Sequence, residues 1–171
     1  MKIAKHSEAS KRFFLKFYKF NYINILINFL MRKGYKLKSY KLIFRFLMKI
    51  KMYFKYDPEK VITYVFDKYR LVVYLVKKRK AGRIYNIPYY IDKTKGKLML
   101  LHWFFNSVRE RKENNLLDRL FFEFLELSKG YGRTIRKIEE YYAMAIKNYS
   151  FSHFLKNKQY NMYRKLQKYK S

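Results

Sequence analysis

Cysteine is absent from the 171 residues, which excludes a disulfide framework and every thiolate metal site. Glycine occurs 5 times and proline 2 times, so turns are few and each is a landmark. Acidic residues are scarce as well, 12 against 41 lysines and arginines, for a formal net charge of +29. A compact chain with that imbalance repels itself unless a polyanion relieves it, and a phosphate backbone is the plainest such partner. The longest uncharged apolar stretch, Phe20 to Met31, is too short to span a bilayer.

Hydrophobic mass is what the chain has in quantity. Hydrophobic residues make up 50% of it and aromatic residues 21%, enough apolar area for a core and unlike a disordered basic tail. The length suits one domain, and neither a linker composition nor an internal repeat divides it. Lys, Tyr, Phe, Ile and Asn abound while Gly, Pro and Ala are few. These are residues of A- and T-rich codons, and they point to a compact organellar genome. Met1 to Lys19 is basic and acid-poor like a transit peptide; the expectation is that it is retained, as in a protein made where it works.

Apolar residues at helical spacing mark six helices. Ile23, Leu26, Ile27 and Leu30 form the first stripe, broken at Gly34. Tyr40, Ile43, Leu47, Ile50 and Phe54 form the second. Asp57-Pro58-Glu59 supplies an N-cap, a proline at N1 and a first-turn carboxylate, opening a third over Val61, Ile62, Val65 and Phe66. Leu98, Leu101, Phe105 and Val108 stripe the fourth; Leu116, Leu120, Phe124 and Leu127 stripe the fifth, which ends at Gly130 as a C-cap. Ile135, Ile138, Tyr142, Ala145 and Tyr149 stripe the sixth.

Between the third and fourth helices, LVVYLVKKRKAGRIYNIPYY (Leu71 to Tyr90) reads as a β-hairpin. Its turn lies at Ala81-Gly82, and Pro88 sits late, where an edge tolerates it. Lys77, Lys78, Arg79, Lys80 and Arg83 crowd its tip; either phosphate neutralises them or the tip is a solvated basic loop. Tyr85 and Tyr90 can stack on exposed bases or cover the helices. The expected fold is mainly α: about six helices in one bundle-like domain with an inserted, projecting hairpin. We expect a basic extension over residues 1–20, the domain over 21–155 with its hairpin near 70–91, and a basic tail over 156–171.

Catalytic chemistry is hard to assemble from these residues. His6, His102 and His153 are far apart and lack metal-ligand spacing; His102, within an apolar helix, reads as a packing residue. Glu139 and Glu140 point apart on a helix. Glu123 and Glu126 share a face, but Arg119 lies one turn before Glu123 and reads as its helix partner. No Gly-rich phosphate loop followed by Lys-Ser or Lys-Thr is present. The expectation is no enzyme, no metal and no cofactor.

The cations are arranged instead. Arg32, Lys33, Lys36 and Lys38 surround the Gly34 turn. Arg109 and Arg111 close the fourth helix, where the dipole welcomes cations, so a solvated face and an RNA contact are both open there. Arg133, Arg136 and Lys137 open the sixth helix, an uphill place for cations unless phosphate docks beside them.

The order of these parts resembles that of the bacterial-type small-subunit ribosomal protein seven family, from about Leu26 to Phe154. Met144-Ala145, Asn148, Phe151 and His153 reproduce the family's M-A-x-x-N-x-x-F-x-H. Ile27-Asn28, Leu30-Met31 and Gly34 match its first helix and turn. Arg70, Lys78-Arg79, Gly82, Tyr85, Ile87 and Pro88 follow its hairpin pattern. Trp103, Arg109 and Arg111 follow R-W-I-V-E-A-A-R-x-R, and Gly132 and Lys137 its last turn and helix start. Departures are Leu71 for proline, Ala81 for glycine, Tyr35 within a double lysine, and Phe, Tyr and Leu for helix alanines.

The resemblance implies a structural protein of the small-subunit head that binds the 3′ domain of the ribosomal RNA and seeds head assembly. It implies rRNA contacts at Arg32, Lys33, Lys36, Arg70, Lys77, Lys78, Arg79, Lys80, Arg83, Arg109, Arg111, Arg133, Arg136 and Lys137. Lys80, Ala81, Gly82, Arg83, Asn148 and His153 would lie near messenger RNA and exit-site transfer RNA. Neighbours would be head proteins and platform protein eleven, with no membrane and no homo-oligomer. With the codon signature, the expected place is the mitochondrial ribosome in the matrix, organelle-encoded, ahead of a plastid. Two rivals are an organelle-encoded intron maturase or nuclease, for which Asp57, Asp67, Asp92 and Asp118 would have to converge on metal, and a basic membrane-surface protein. The membrane reading turns on whether the aromatic stripes face one core or one outer plane.

Overall fold

The computed structural model describes residues 21–154. Six α-helices and one hairpin occur in the expected order: α1 (Asn21–Leu30), α2 (Lys36–Phe54), α3 (Pro58–Lys68), β1 (Val73–Lys80), β2 (Arg83–Tyr90), α4 (Lys93–Glu110), α5 (Leu116–Lys129) and α6 (Arg133–Lys147). A short 3-10 helix (Tyr149–Phe154) follows. The apolar stripes converge on one core drawn from all six helices, so they do not form an outer plane for a membrane. Among the described residues, no helix is long and apolar enough to cross one.

Aromatic rings build the centre. Phe66 meets Phe104 at 5.5 Å and Phe124 at 6.0 Å between centroids, and Phe46 meets Phe124 edge-on at 5.7 Å. Such tilted and T-shaped contacts add to what area burial alone contributes. Helix α4 runs through the middle and buries more than one stripe: Leu100 and Phe104 are buried as well as Leu101, Phe105 and Val108. Leu98, expected in that stripe, is exposed, and so is Leu116 at the start of α5. His102 is exposed too, at the edge of Phe29, and is no interior packing residue. At Gly96 the backbone of α4 touches the hairpin root, where a Cβ would overlap the Leu71 carbonyl oxygen.

Helix ends follow local chemistry. Asp57 occupies the N-cap of α3 with Pro58 at N1, but its side chain makes no capping bond. Gly130, at φ +86°, ends α5; its amide bonds to the Leu127 carbonyl and the Tyr131 amide to that of Glu126. That pair of bonds is a Schellman cap.

The hairpin turns at Ala81 (φ 46°) and Gly82 (φ 78°), the two left-handed residues that a two-residue type I′ turn requires. Strand β1 pairs antiparallel with β2 from Val73 opposite Tyr90 to Lys80 opposite Arg83. Helix α6 holds the hairpin's root: the Val72 amide donates to the Tyr142 hydroxyl (3.1 Å) and the Leu75 amide to the Tyr141 hydroxyl (2.7 Å). Because the Leu75 amide points outward, its opposite residue, Pro88, lies in a non-hydrogen-bonded pair. Proline therefore costs the ladder no bond there.

Asp67 ties three helices together, accepting from the Tyr22 hydroxyl (2.5 Å) and pairing with Lys97 (2.6 Å). Burial works against its charge, but the bonds from Lys97 and Tyr22 outweigh burial and hold the carboxyl below the usual carboxylate range. Burial first, then the Asp67 bond and charge, pushes the Tyr22 hydroxyl well up. A depressed carboxyl stabilises the fold fully above its unfolded value near 4, and the contribution is lost as pH falls through the folded value. Stability measured by chemical denaturation should be level from neutral pH to about 5 and fall below about 4. Asp67→Asn should flatten part of that acid limb, and an unchanged limb would contradict the assignment.

Candidate nucleic-acid interface

Three groups of cations emerge from the fold. The first is the hairpin tip, where residues 77–84 are all exposed. Five of those eight are Lys or Arg, and at ~3.3 Å per residue the tip reaches roughly 7–10 Å beyond Tyr85, the last partly buried strand residue. Ile84, 69% exposed, travels with them. At the base of the hairpin Arg70 is half-buried; nearer the tip, opposite Lys78, the Tyr85 ring lies 4.8 Å from that of Phe151 on the 3-10 helix. Tyr85 therefore packs β2 against the 3-10 helix.

The second group sits where α4 ends and α6 begins. Arg133 donates to the Glu110 carbonyl (2.7 Å), and Lys137 pairs with the Glu110 carboxylate (2.9 Å). The negative end of α4 thus meets cations at the positive end of α6, offsetting part of the unfavourable dipole contact. Phosphate is not needed to explain these two cations. Arg136 is exposed and has no ion pair among the described residues. Asn148 caps α6, its amide donating to the Met144 carbonyl (2.8 Å). His153 falls on the 3-10 helix, and its side chain lies outside those described.

Arg111 behaves differently from its expected role. Its side chain is only 12% exposed and reaches Glu113 (2.9 Å), Glu123 (2.8 Å) and Glu126 (2.9 Å). The bond to Glu126 leads, then those to Glu123 and Glu113; together they outweigh desolvation and raise its pKa above the ordinary arginine value. Glu123, 1% exposed, also accepts from the Thr134 amide (3.2 Å) and hydroxyl (2.5 Å). One buried carboxylate so fastens the end of α4 to the first turn of α6. Arg111 is a structural cation of the interior, and the contact set loses it. The expected Arg119–Glu123 pairing is replaced as well: the Arg119 guanidinium donates to the Glu113 carbonyl.

The third group rings a cleft of about 460 Å³ between the α1–α2 turn and the α4–α5 loop. Arg32 and Arg109 meet there across the fold, joined by Lys38 and Arg119. Lys33 lies exposed in the same turn at φ 49°, beside Gly34 at φ 75°, and the Lys36 ammonium lies 5.8 Å from the Tyr40 ring. Arg119 was hidden from sequence reasoning by its distance from Arg32. The available signal was Asn114-Asn115, a helix break that turns the first face of α5 back toward the end of α4.

The aspartates do not converge. Asp67 and Asp118 are held by lysines, and among the described residues no three His, Asp or Glu side chains could hold a metal ion. A family model described as ribosomal protein S7p/S5e matches residues 2–149. The match begins well ahead of Leu26, inside the stretch read as an unassigned extension, and stops before Phe151 and His153. Helices, basic hairpin and family match agree: the chain belongs to the S7p/S5e family, a structural protein of the small ribosomal subunit that binds rRNA and is not an enzyme.

Proposed function

We propose that the protein works in the head of a mitochondrial small subunit, where it binds the 3′ domain of the rRNA and seeds head folding. Its hairpin and the end of α6 face messenger RNA and the exit-site transfer RNA, and its neighbours are head proteins and platform protein eleven. The observation that carries this reading is the run of exposed cations from Lys77 to Arg83, held out from the core by the tyrosines of α6. Five cations packed onto one exposed tip are suited to a phosphate backbone. The proposed contacts are the cations named from sequence without Arg111. Codon-biased composition supports the mitochondrial setting.

Deleting Lys78 to Arg83 and closing the strands with a two-residue turn tests the reading. The core contains no residue of that segment, so the helices should stay folded, and Arg32, Arg109 and Arg136 should still anchor the subunit. Purified subunits should assemble normally but lose exit-site transfer RNA and reading-frame accuracy. Failed head assembly with normal exit-site behaviour would make the hairpin an assembly anchor instead.

A further inference from the structure

The cleft ringed by Arg32, Lys38, Arg109 and Arg119 has a chemistry that the interface as a whole does not. Its floor is apolar: Phe29 and Phe105 stack at 5.1 Å and 13°, and Val108 is buried beside them. Its lip is Tyr35, 59% exposed, with the Lys38 ammonium 4.8 Å from the ring centroid. No carboxylate lines it. The cleft beside α6 differs, for Glu126 and Glu139 stand there among the cations.

Arg32, Lys38 and Arg109 are exposed around one concavity and Arg119, partly held by the Glu113 carbonyl, adds to them; together they focus a positive potential suited to an anion. Three of the four are arginines, whose planar forks match phosphate. An apolar floor and an exposed ring add what a bare phosphate does not use, a surface for a base. The volume lies within the range of roughly 300–1,000 Å³ typical of small-ligand sites. The Tyr35 residue stays 59% exposed despite the Lys38 contact.

We propose that this cleft takes one nucleotide extruded from the rRNA, its base stacked on Tyr35 and its phosphates held by Arg32, Arg109 and Arg119. The proposal rests on this surface facing rRNA. Single-stranded or bulged RNA is the form that can present such a nucleotide, because its bases can be splayed out.

The test uses the full chain and the 3′-domain rRNA fragment transcribed from the same genome. Tyr35→Leu should weaken binding about five- to a hundredfold, the range for losing one base stack, with the salt slope unchanged. Tyr35→Phe should bind like the wild type. Arg109→Gln should weaken binding and reduce the salt slope by ~0.7–0.9. Abasic nucleotides introduced one at a time should reveal one position that weakens the wild type but not Tyr35→Leu. If Tyr35→Leu binds normally, or its loss adds to every abasic loss, the nucleotide site is overturned. Normal RNA binding with lost attachment of a neighbouring ribosomal protein would likewise overturn it, in favour of a protein carboxylate. A wild type that shows no salt-dependent binding to the fragment would remove the RNA-facing surface itself, a failure distinct from these.

Discussion

Arg111→Ala is expected to cost about 3–5 kcal/mol of folding stability, the range for breaking a buried ion pair from one side. The loss comes from what remains behind. Glu123 is 1% exposed and keeps its bonds to Thr134, but its charge is left in the interior with no cation beside it. Denaturation of the full chain at neutral pH should show the deficit. Arg111→Leu combined with Glu123→Gln should recover part of the stability, since the amide oxygen still accepts from Thr134 and no lone charge is buried. Arg136→Ala, at an exposed position, should stay within about 0.5 kcal/mol while weakening RNA binding. Equal losses at the two arginines would show that the division between interior and surface cations is wrong.

The elements were legible because their signals are local. Helical spacing located α1 to α6, and Ala81-Gly82 between cationic arms located the turn to the residue. Signals that depend on what packs where were harder to read. Helix α4 touches partners on several sides, so one stripe under-described it: Phe104 is buried and Leu98 is exposed. Trp103 is only half-buried, edge-on to Tyr141 at 5.0 Å, and its ring covers the core from outside.

At the interface, the hairpin was readable because five like charges within seven residues need no tertiary information. The ion pairs of Arg111 were unreadable for the opposite reason. Its partners Glu123 and Glu126 lie on the next helix, at ion-pair distance only once the α4–α5 loop folds back. The cleft was invisible for the same reason, since its cations come from segments far apart in the chain.

Binding of the full chain to the 3′-domain rRNA fragment across a salt series tests the central claim most directly. Each phosphate neutralised lowers log affinity by ~0.7–0.9 per decade of salt. The tip, the α4–α6 junction and the cleft bind together in this account, giving a total slope on the order of −5 or steeper. Between 50 and 200 mM salt, affinity should then fall roughly a thousandfold. Arg32→Gln with Arg109→Gln should flatten the slope by ~1.4–1.8 units, and Arg111→Leu with Glu123→Gln should leave it as it is. A wild-type affinity that barely changes over that range would contradict an electrostatic clamp on rRNA.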